Sequence, residues 1–141
     1  MDIRDITPNY SVSPQISVED IPAIAAAGFT CIICNRPDAE NPPSHFAAEL
    51  EKASKDAGLE FVTNPLTHDT MTSDRLSLQR QTLESSEGRV LAYCASGTRS
   101  TVAWMLGHAD TYSPDQLIGA AAQGGYQLEQ LRPQLEMLAQ S

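Results

Sequence analysis

The sequence predicts an α/β fold in which a mostly parallel central sheet is flanked by helices. Three observations carry that prediction. Short apolar runs of strand length alternate with helix-like segments through the middle of the chain, which requires crossover connections. Two of those runs, Phe29–Cys34 and Val90–Tyr93, are essentially continuous in apolarity, as in strands covered on both faces. Beyond residue 94 the pattern is helical alone.

Taken in order, Ile3 to Ile16 carries short apolar pieces broken by Pro8, Asn9 and Pro14, suiting a small hairpin or edge strands. Ser17, followed by Glu19 and Asp20, starts a helix that tolerates Pro22 in its first turn and stops at Gly28. The Phe29–Cys34 strand ends at Asn35-Arg36-Pro37-Asp38. Ser44 then caps a helix reaching Ala57, with Gly58 at its end. Leu59–Thr63 is the next strand, closed by Asn64-Pro65. Thr72 or Ser73 caps a third helix through about Glu84, and Gly88 releases the chain into Val90–Tyr93. Helices follow to about His108, from Pro114 to Ala122 and from Gln127 to Leu138. Gly124-Gly125-Tyr126 reads as a helix break, because no strand precedes it as a nucleotide-binding loop would require.

The 141 residues suit one domain spanning 1–141, and with 41% hydrophobic and 19% charged residues the composition is globular. A net charge of −9 argues against nucleic acid as a partner, since phosphate neutralisation needs clustered Lys and Arg. No apolar run approaches the ~20 residues of a membrane span. The opening Met-Asp-Ile-Arg-Asp-Ile lacks the basic-then-apolar plan of a secretory signal. Three cysteines do not make a disulfide framework, and a reducing cytoplasm is the expected compartment.

The richest segment is residues 88–108, where an apolar strand runs into Cys94, a turn carries Gly97, and Arg99 opens a helix. That layout sets a thiol at the positive end of a helix, where unpaired N–H groups and the macrodipole favour an anion and a thiolate. Cys94 is the candidate nucleophile. Amides of Ala95, Ser96, Gly97, Thr98, Arg99 and Ser100 would cradle an anion, and Gly97 supplies a backbone turn that a side chain would hinder. The Arg99 guanidinium adds a planar fork for two oxygens. Ser100 or Thr101 is placed to hydrogen-bond the sulfur. A buried structural cysteine before a glycine turn is the plainer alternative, but the combination of strand, Cys, Gly, Arg, Ser and helix favours a site. Sites in open parallel sheets lie beyond the carboxyl ends of the strands, where Cys94 falls.

A general acid would have to come from another loop. Asn64 to Thr70 follows a strand and emerges at the same sheet end, making Asp69 and His68 the candidates, against the alternative of a polar loop. Arg36 and Asp38 follow another strand end, either at the rim or paired with each other. Cys31 and Cys34 have the spacing of a metal pair, but on a strand positions i and i+3 face opposite sides. Cys31 therefore reads as core and no metal site is expected, while Cys34 at the strand end could serve as a resolving thiol for Cys94. His45 and His108 read as ordinary helix residues, His108 being favourably placed against the helix dipole.

The strings Ser13-Pro-Gln-Ile-Ser-Val-Glu-Asp-Ile, Gly28-Phe-Thr-Cys-Ile-Ile-Cys-Asn-Arg-Pro-Asp-Ala-Glu and Tyr93-Cys-Ala-Ser-Gly-Thr-Arg-Ser resemble the phosphatase-like domain of beta-lactamase-hydrolase-like proteins. The likeness covers nearly the whole chain. It implies the fold of cysteine-dependent dual-specificity phosphatases, with Cys94 as nucleophile, Arg99 as oxyanion holder and no cofactor. Some such domains are fused to persulfide-handling metallo-hydrolases, which implies a functional link to that chemistry. The chain departs from the phosphatase pattern H-C-x-x-G-x-x-R in two ways. Tyr93 stands for the histidine, and four residues rather than five separate Cys94 from Arg99. One residue fewer removes roughly 3.3–3.6 Å of span, which narrows the cradle and matches the loop length of rhodanese-type sulfurtransferases. On sequence alone the leading expectation is therefore sulfur transfer: a persulfide on Cys94, a small anionic sulfur donor such as thiosulfate, and an acceptor thiol. A phosphatase acting on a phosphate ester is the alternative, and a non-catalytic anion or persulfide sensor is the third.

Overall fold

The structure, a computed structural model, describes residues 1–140. Strands β1 (Arg4–Thr7) and β2 (Tyr10–Ser13) form an antiparallel hairpin turning at Pro8 and Asn9, two of the three residues that broke the apolar pattern. The remaining strands are β3 (Phe29–Cys34), β4 (Glu60–Thr63) and β5 (Arg89–Tyr93). They join β2 in parallel, and the sheet order is β1-β2-β5-β3-β4. Only the edge strand β1 runs against the rest, so the mostly parallel sheet read from the apolar runs is what forms. Helices α1 (Ile21–Ala26), α2 (Ala47–Asp56), α3 (Ser73–Ser85), α4 (Thr98–Gly107), α5 (Pro114–Gln123) and α6 (Arg132–Ala139) complete the described chain.

Strand alternation splits the interior into two cores. Cys31 and Ile33 of β3 and Val90 and Ala92 of β5 face Trp104, Met105, Leu117 and Leu135 from α4, α5 and α6. Ile32, Cys34, Leu91 and Tyr93 face Ile21 and Ile24 of α1 and Leu50 of α2. Cys31 and Cys34 thus lie in different cores, as their spacing on a strand requires.

Two local expectations are corrected. Ser44 does not cap α2: its hydroxyl pairs with His45 Nδ1 at 2.9 Å, and the helix begins at Ala47. Asp38 does the capping from nine residues upstream, its Oδ1 accepting from Ala47 N–H at 2.8 Å. The carboxylate leaves one otherwise unpaired first-turn amide satisfied, as a cap must. The last segment opens with a 3-10 turn at Glu129–Leu131 before α6, because Pro133 limits a continuous helix to starting at Arg132. Since β2, β3, β4 and β5 run in parallel, the segments after Ser13, Cys34, Thr63 and Tyr93 emerge at one end of the sheet.

Candidate active site

Cys94 leaves the end of β5 with its N–H directed to Ser13 O at 3.4 Å. Three residues later Gly97 adopts φ +93°, the left-handed region, and becomes the N-cap of α4. That turn lets the Gly97 N–H donate to Cys94 Sγ at 3.1 Å. The N–H groups of Ala95, Ser96, Arg99 and Ser100 donate to nothing among the described residues. The Thr98 N–H, also expected in the cradle, donates to Ser96 Oγ at 3.4 Å, so the turn after Cys94 leaves four amides unused at a helix N-terminus, where an oxyanion is favoured. Cys94 is fully buried, so its sulfur lies below the surface of this cradle.

The expected hydroxyl bonds to sulfur are not formed. Ser100 Oγ donates to Asn35 Oδ1 at 2.8 Å and Thr101 Oγ1 to Gly97 O at 2.8 Å, so both hydroxyls brace the helix start instead.

Arg99 is held at three donors. Nη1 donates to Glu40 Oε2 at 2.8 Å and to Leu66 O at 2.9 Å, and Nη2 donates to Glu40 Oε1 at 2.8 Å. A guanidinium has five N–H donors in a fixed plane. With both Nη1 hydrogens and the inner Nη2 hydrogen engaged, the remaining pair is Nε–H and the outer Nη2–H, a side-on fork suited to two oxygens of one anion. Glu40 and the Leu66 carbonyl therefore orient Arg99 while leaving that fork open. The same contacts hold the Glu40 carboxyl below its ordinary range, chiefly through the Arg99 hydrogen bonds.

Arg36 stands behind this pair. Its Nε lies 3.2 Å from Glu40 Oε1, its Nη2 donates to Glu40 O at 3.3 Å and its Nη1 to Gln15 Oε1 at 3.4 Å. The expected Arg36–Asp38 ion pair is absent because Asp38 is spent on the α2 cap and Glu40 is the carboxylate within reach.

A buried amide network fixes the loop from below. Asn35 Nδ2 donates to Asn64 O and Gln79 Oε1, both at 2.9 Å, and Gln79 Nε2 donates to Asn35 Oδ1 and Tyr10 Oη, both at 3.0 Å. Asn64 Nδ2 donates to Arg75 O at 2.9 Å and Gln79 Oε1 at 3.0 Å, while Tyr10 Oη donates to Ser100 O at 2.7 Å. Every side-chain amide hydrogen of Asn35, Asn64 and Gln79 has an acceptor, so the network ties β2, β3, α3 and α4 together at little desolvation penalty.

His68 and Asp69 lie in the segment between β4 and α3, at the expected sheet end and exposed. His68 lines a groove that also includes Arg99. The Asp69 N–H donates to Thr67 Oγ1 at 3.3 Å, and its carboxylate has no hydrogen-bond or ion-pair partner among the described residues. Cys34 is buried on the α1–α2 side with its thiol pushed up mainly by burial, its Sγ 3.4 Å from Arg36 O, and all three cysteines are free. His108 is the C-cap residue of α4, its Nδ1 donating to Trp104 O at 2.9 Å, and burial lowers its pKa.

Tyr126 is the site neighbour that local sequence patterns did not mark. Its hydroxyl donates to Ser96 O at 2.9 Å and closes over Gly97, where a Cβ would sit 2.0 Å from the phenol oxygen. The two glycines before it do break α5, as expected, and the break returns the chain to the loop.

A parallel-sheet fold with a cysteine at a strand end, an amide-lined turn and an arginine in the first turn of the following helix defines a protein of the cysteine-phosphatase-like class. More particularly, residues 2–111 match the phosphatase-like domain of the beta-lactamase hydrolase-like proteins, and the chain belongs to that family. A beta-lactamase hydrolase-like protein of Agrobacterium fabrum is 31% identical over 104 residues, 74% of this chain and 24% of that protein. The chain thus spans about a quarter of the length of the curated relatives it matches. Among solved structures, a Neisseria meningitidis protein provisionally described as a phosphatase superposes with a TM-score of 0.85. It is 31% identical, with coverage of 98% of this chain and 99% of that one. PTPMT1 superposes with a TM-score of 0.69 at 16% identity over 98% of this chain and 94% of its own, a likeness of fold.

Proposed function

We propose that this chain is a cysteine-dependent phosphatase that hydrolyses phosphate monoesters through a cysteinyl-phosphate intermediate. The observation that carries the proposal is the set of unused donors around Cys94, namely four backbone amides and the side-on fork of Arg99. These can surround the three non-bridging oxygens of a phosphoryl group and stabilise its charge as the reaction proceeds. The Cys94 thiolate attacks phosphorus, forming the S–P bond as the P–O bond to the leaving group breaks. Asp69 donates its proton to the departing oxygen. Water then attacks phosphorus, its proton passing to Asp69, and the S–P bond breaks to release inorganic phosphate and the thiolate. The unpaired Asp69 carboxylate at the same end of the sheet supports this assignment, and phosphatase neighbours support the reaction class.

This reverses the order that loop length alone suggested. Sulfur transfer, with a persulfide on Cys94 and an acceptor thiol, stays as the second reading on one specific observation: the four-residue interval between Cys94 and Arg99. A side-by-side assay separates them. Saturable release of phosphate from para-nitrophenyl phosphate, abolished by Cys94→Ser, is the expected result. Loading of one sulfur from thiosulfate onto Cys94, with no Cys94-dependent phosphate release, would overturn it in favour of sulfur transfer.

A further inference from the structure

One groove opens directly off the anion loop. It holds about 340 Å³, within the range of small-molecule sites, and shares Thr98 and Arg99 with the loop. Arg99, whose side-on fork is free, is thus common to the groove and the anion loop. Its walls come from three parts of the chain. Met71 stands before α3, Val102 and Leu106 lie on α4, and Leu128 and Leu131 belong to the segment after α5. Gln130 and Gln134 supply an uncharged polar edge, and apart from Arg99 the only titratable group on the lining is His68. The last wall lies beyond residue 111, outside the stretch matched by the family pattern, so sequence particular to this part of the chain shapes the groove.

Charge decides what such a groove suits. The protein carries a net charge of −9, and the groove offers one fixed cation, Arg99. An inositol polyphosphate or an acidic phosphopeptide needs further cations along its length. Neither Arg36 nor Arg75 lines the groove, and both are already engaged, Arg36 by Glu40 and Gln15 and Arg75 by Pro65 O. An uncharged apolar extension needs none and gains by covering Met71, Val102, Leu106 and Leu131.

We infer that this groove binds the leaving group of the substrate, and that the substrate is a small phosphate monoester whose leaving group is an uncharged aryl or short alkyl chain. The inference rests on the phosphatase reading and adds the class of ester. It also makes Val102 and Gln134 specificity-determining residues, since both line the groove without belonging to the anion cradle.

The test uses the full chain and a series of phenyl, para-ethylphenyl and para-butylphenyl phosphates. Binding is measured by calorimetry with Cys94→Ser, and turnover with the unaltered protein. Each methylene buried in the groove tightens binding by up to about fourfold, so the butyl member should bind at least about tenfold tighter than the phenyl one. Val102→Thr, nearly isosteric but carrying a hydroxyl, should flatten that dependence, and Gln134→Leu should steepen it. A Kd independent of chain length, or a dependence that neither substitution changes, overturns the groove assignment. So does tighter binding of inositol hexakisphosphate than of the butyl ester. Cys94-dependent turnover with a flat chain-length series sinks the groove alone and leaves the phosphatase reading standing. A steep series without turnover of any member upholds the groove and sinks hydrolysis.

Discussion

Gly97→Ala strikes the one backbone position on which the whole cradle turns. At φ +93° an alanine meets the left-handed region, which costs about 1–2 kcal/mol for a residue with a Cβ. The added Cβ would also lie 2.0 Å from Tyr126 Oη and 3.0 Å from Cζ, so the phenol has to leave. Its departure gives up the 2.9 Å bond to Ser96 O, about 1 kcal/mol more. Together these predict a loss of about 2–3 kcal/mol, read by urea unfolding, and a fall in Tm of about 10 °C for a chain of this size. The two contributions separate in a double-mutant cycle. In a Tyr126→Ala background the obstruction and the phenol bond are already gone, so adding Gly97→Ala should cost about 1 kcal/mol less than it does alone. A Gly97→Ala variant within about 0.5 kcal/mol of the parent, or an equal cost in both backgrounds, would refute the assigned role of Tyr126 over the turn.

Four further outcomes concern the residues around the cradle. Glu40→Gln should lower kcat on para-nitrophenyl phosphate about tenfold, equivalent to about 1.4 kcal/mol, with a smaller change in KM, because Glu40 orients Arg99 without touching the ester. Because the folded Glu40 carboxyl lies below its unfolded value, its stabilisation is full above about pH 4.3 and is lost as pH falls through the folded pKa. The acid limb of a stability–pH curve should therefore flatten in Glu40→Gln, and an unchanged limb would contradict the pairing. Gln79→Leu keeps bulk but strands donors on Asn35 and Asn64, so chemical unfolding should report a loss of about 2–4 kcal/mol. Asp69→Asn should slow formation of the cysteinyl-phosphate from an alkyl phosphate, whose oxygen leaves poorly, by about 10²-fold in a single turnover while barely affecting its formation from para-nitrophenyl phosphate; equal slowing of that first step for both would remove Asp69 as the acid.

What could be read in advance was whatever the chain encodes locally. β3 and β5 announced themselves because strands covered on both faces must be apolar throughout. Cys94, Gly97 and Arg99 stood out because the sulfur, the turn and the helix start lie within six consecutive residues. The partners that finish the site lie far away in sequence. Glu40 reaches Arg99 across 59 positions, Gln79 reaches Asn35 across 44 and Tyr126 reaches Ser96 across 30. No local periodicity marks such pairs, since each depends on which strand ends the parallel sheet brings together. The same reason explains the misplaced cap: Ser44 carries the local signal, but the chain's path after β3 brings Asp38 to the Ala47 amide first. For Gly124-Gly125-Tyr126 the local reading of a helix break was correct and incomplete, because a break says where a chain turns and not what it turns toward.

The most direct measurement of the central claim is trapping of the covalent intermediate. The protein is mixed with para-nitrophenyl phosphate, quenched in acid within one turnover, digested, and the peptide bearing Cys94 is weighed. The phosphatase account predicts one phosphoryl group on Cys94, absent from Cys94→Ser and accumulating in Asp69→Asn, where activation of water for the second step is lost. Phosphate release with an unmodified Cys94 peptide at every quench time, or release that survives in Cys94→Ser, would contradict it.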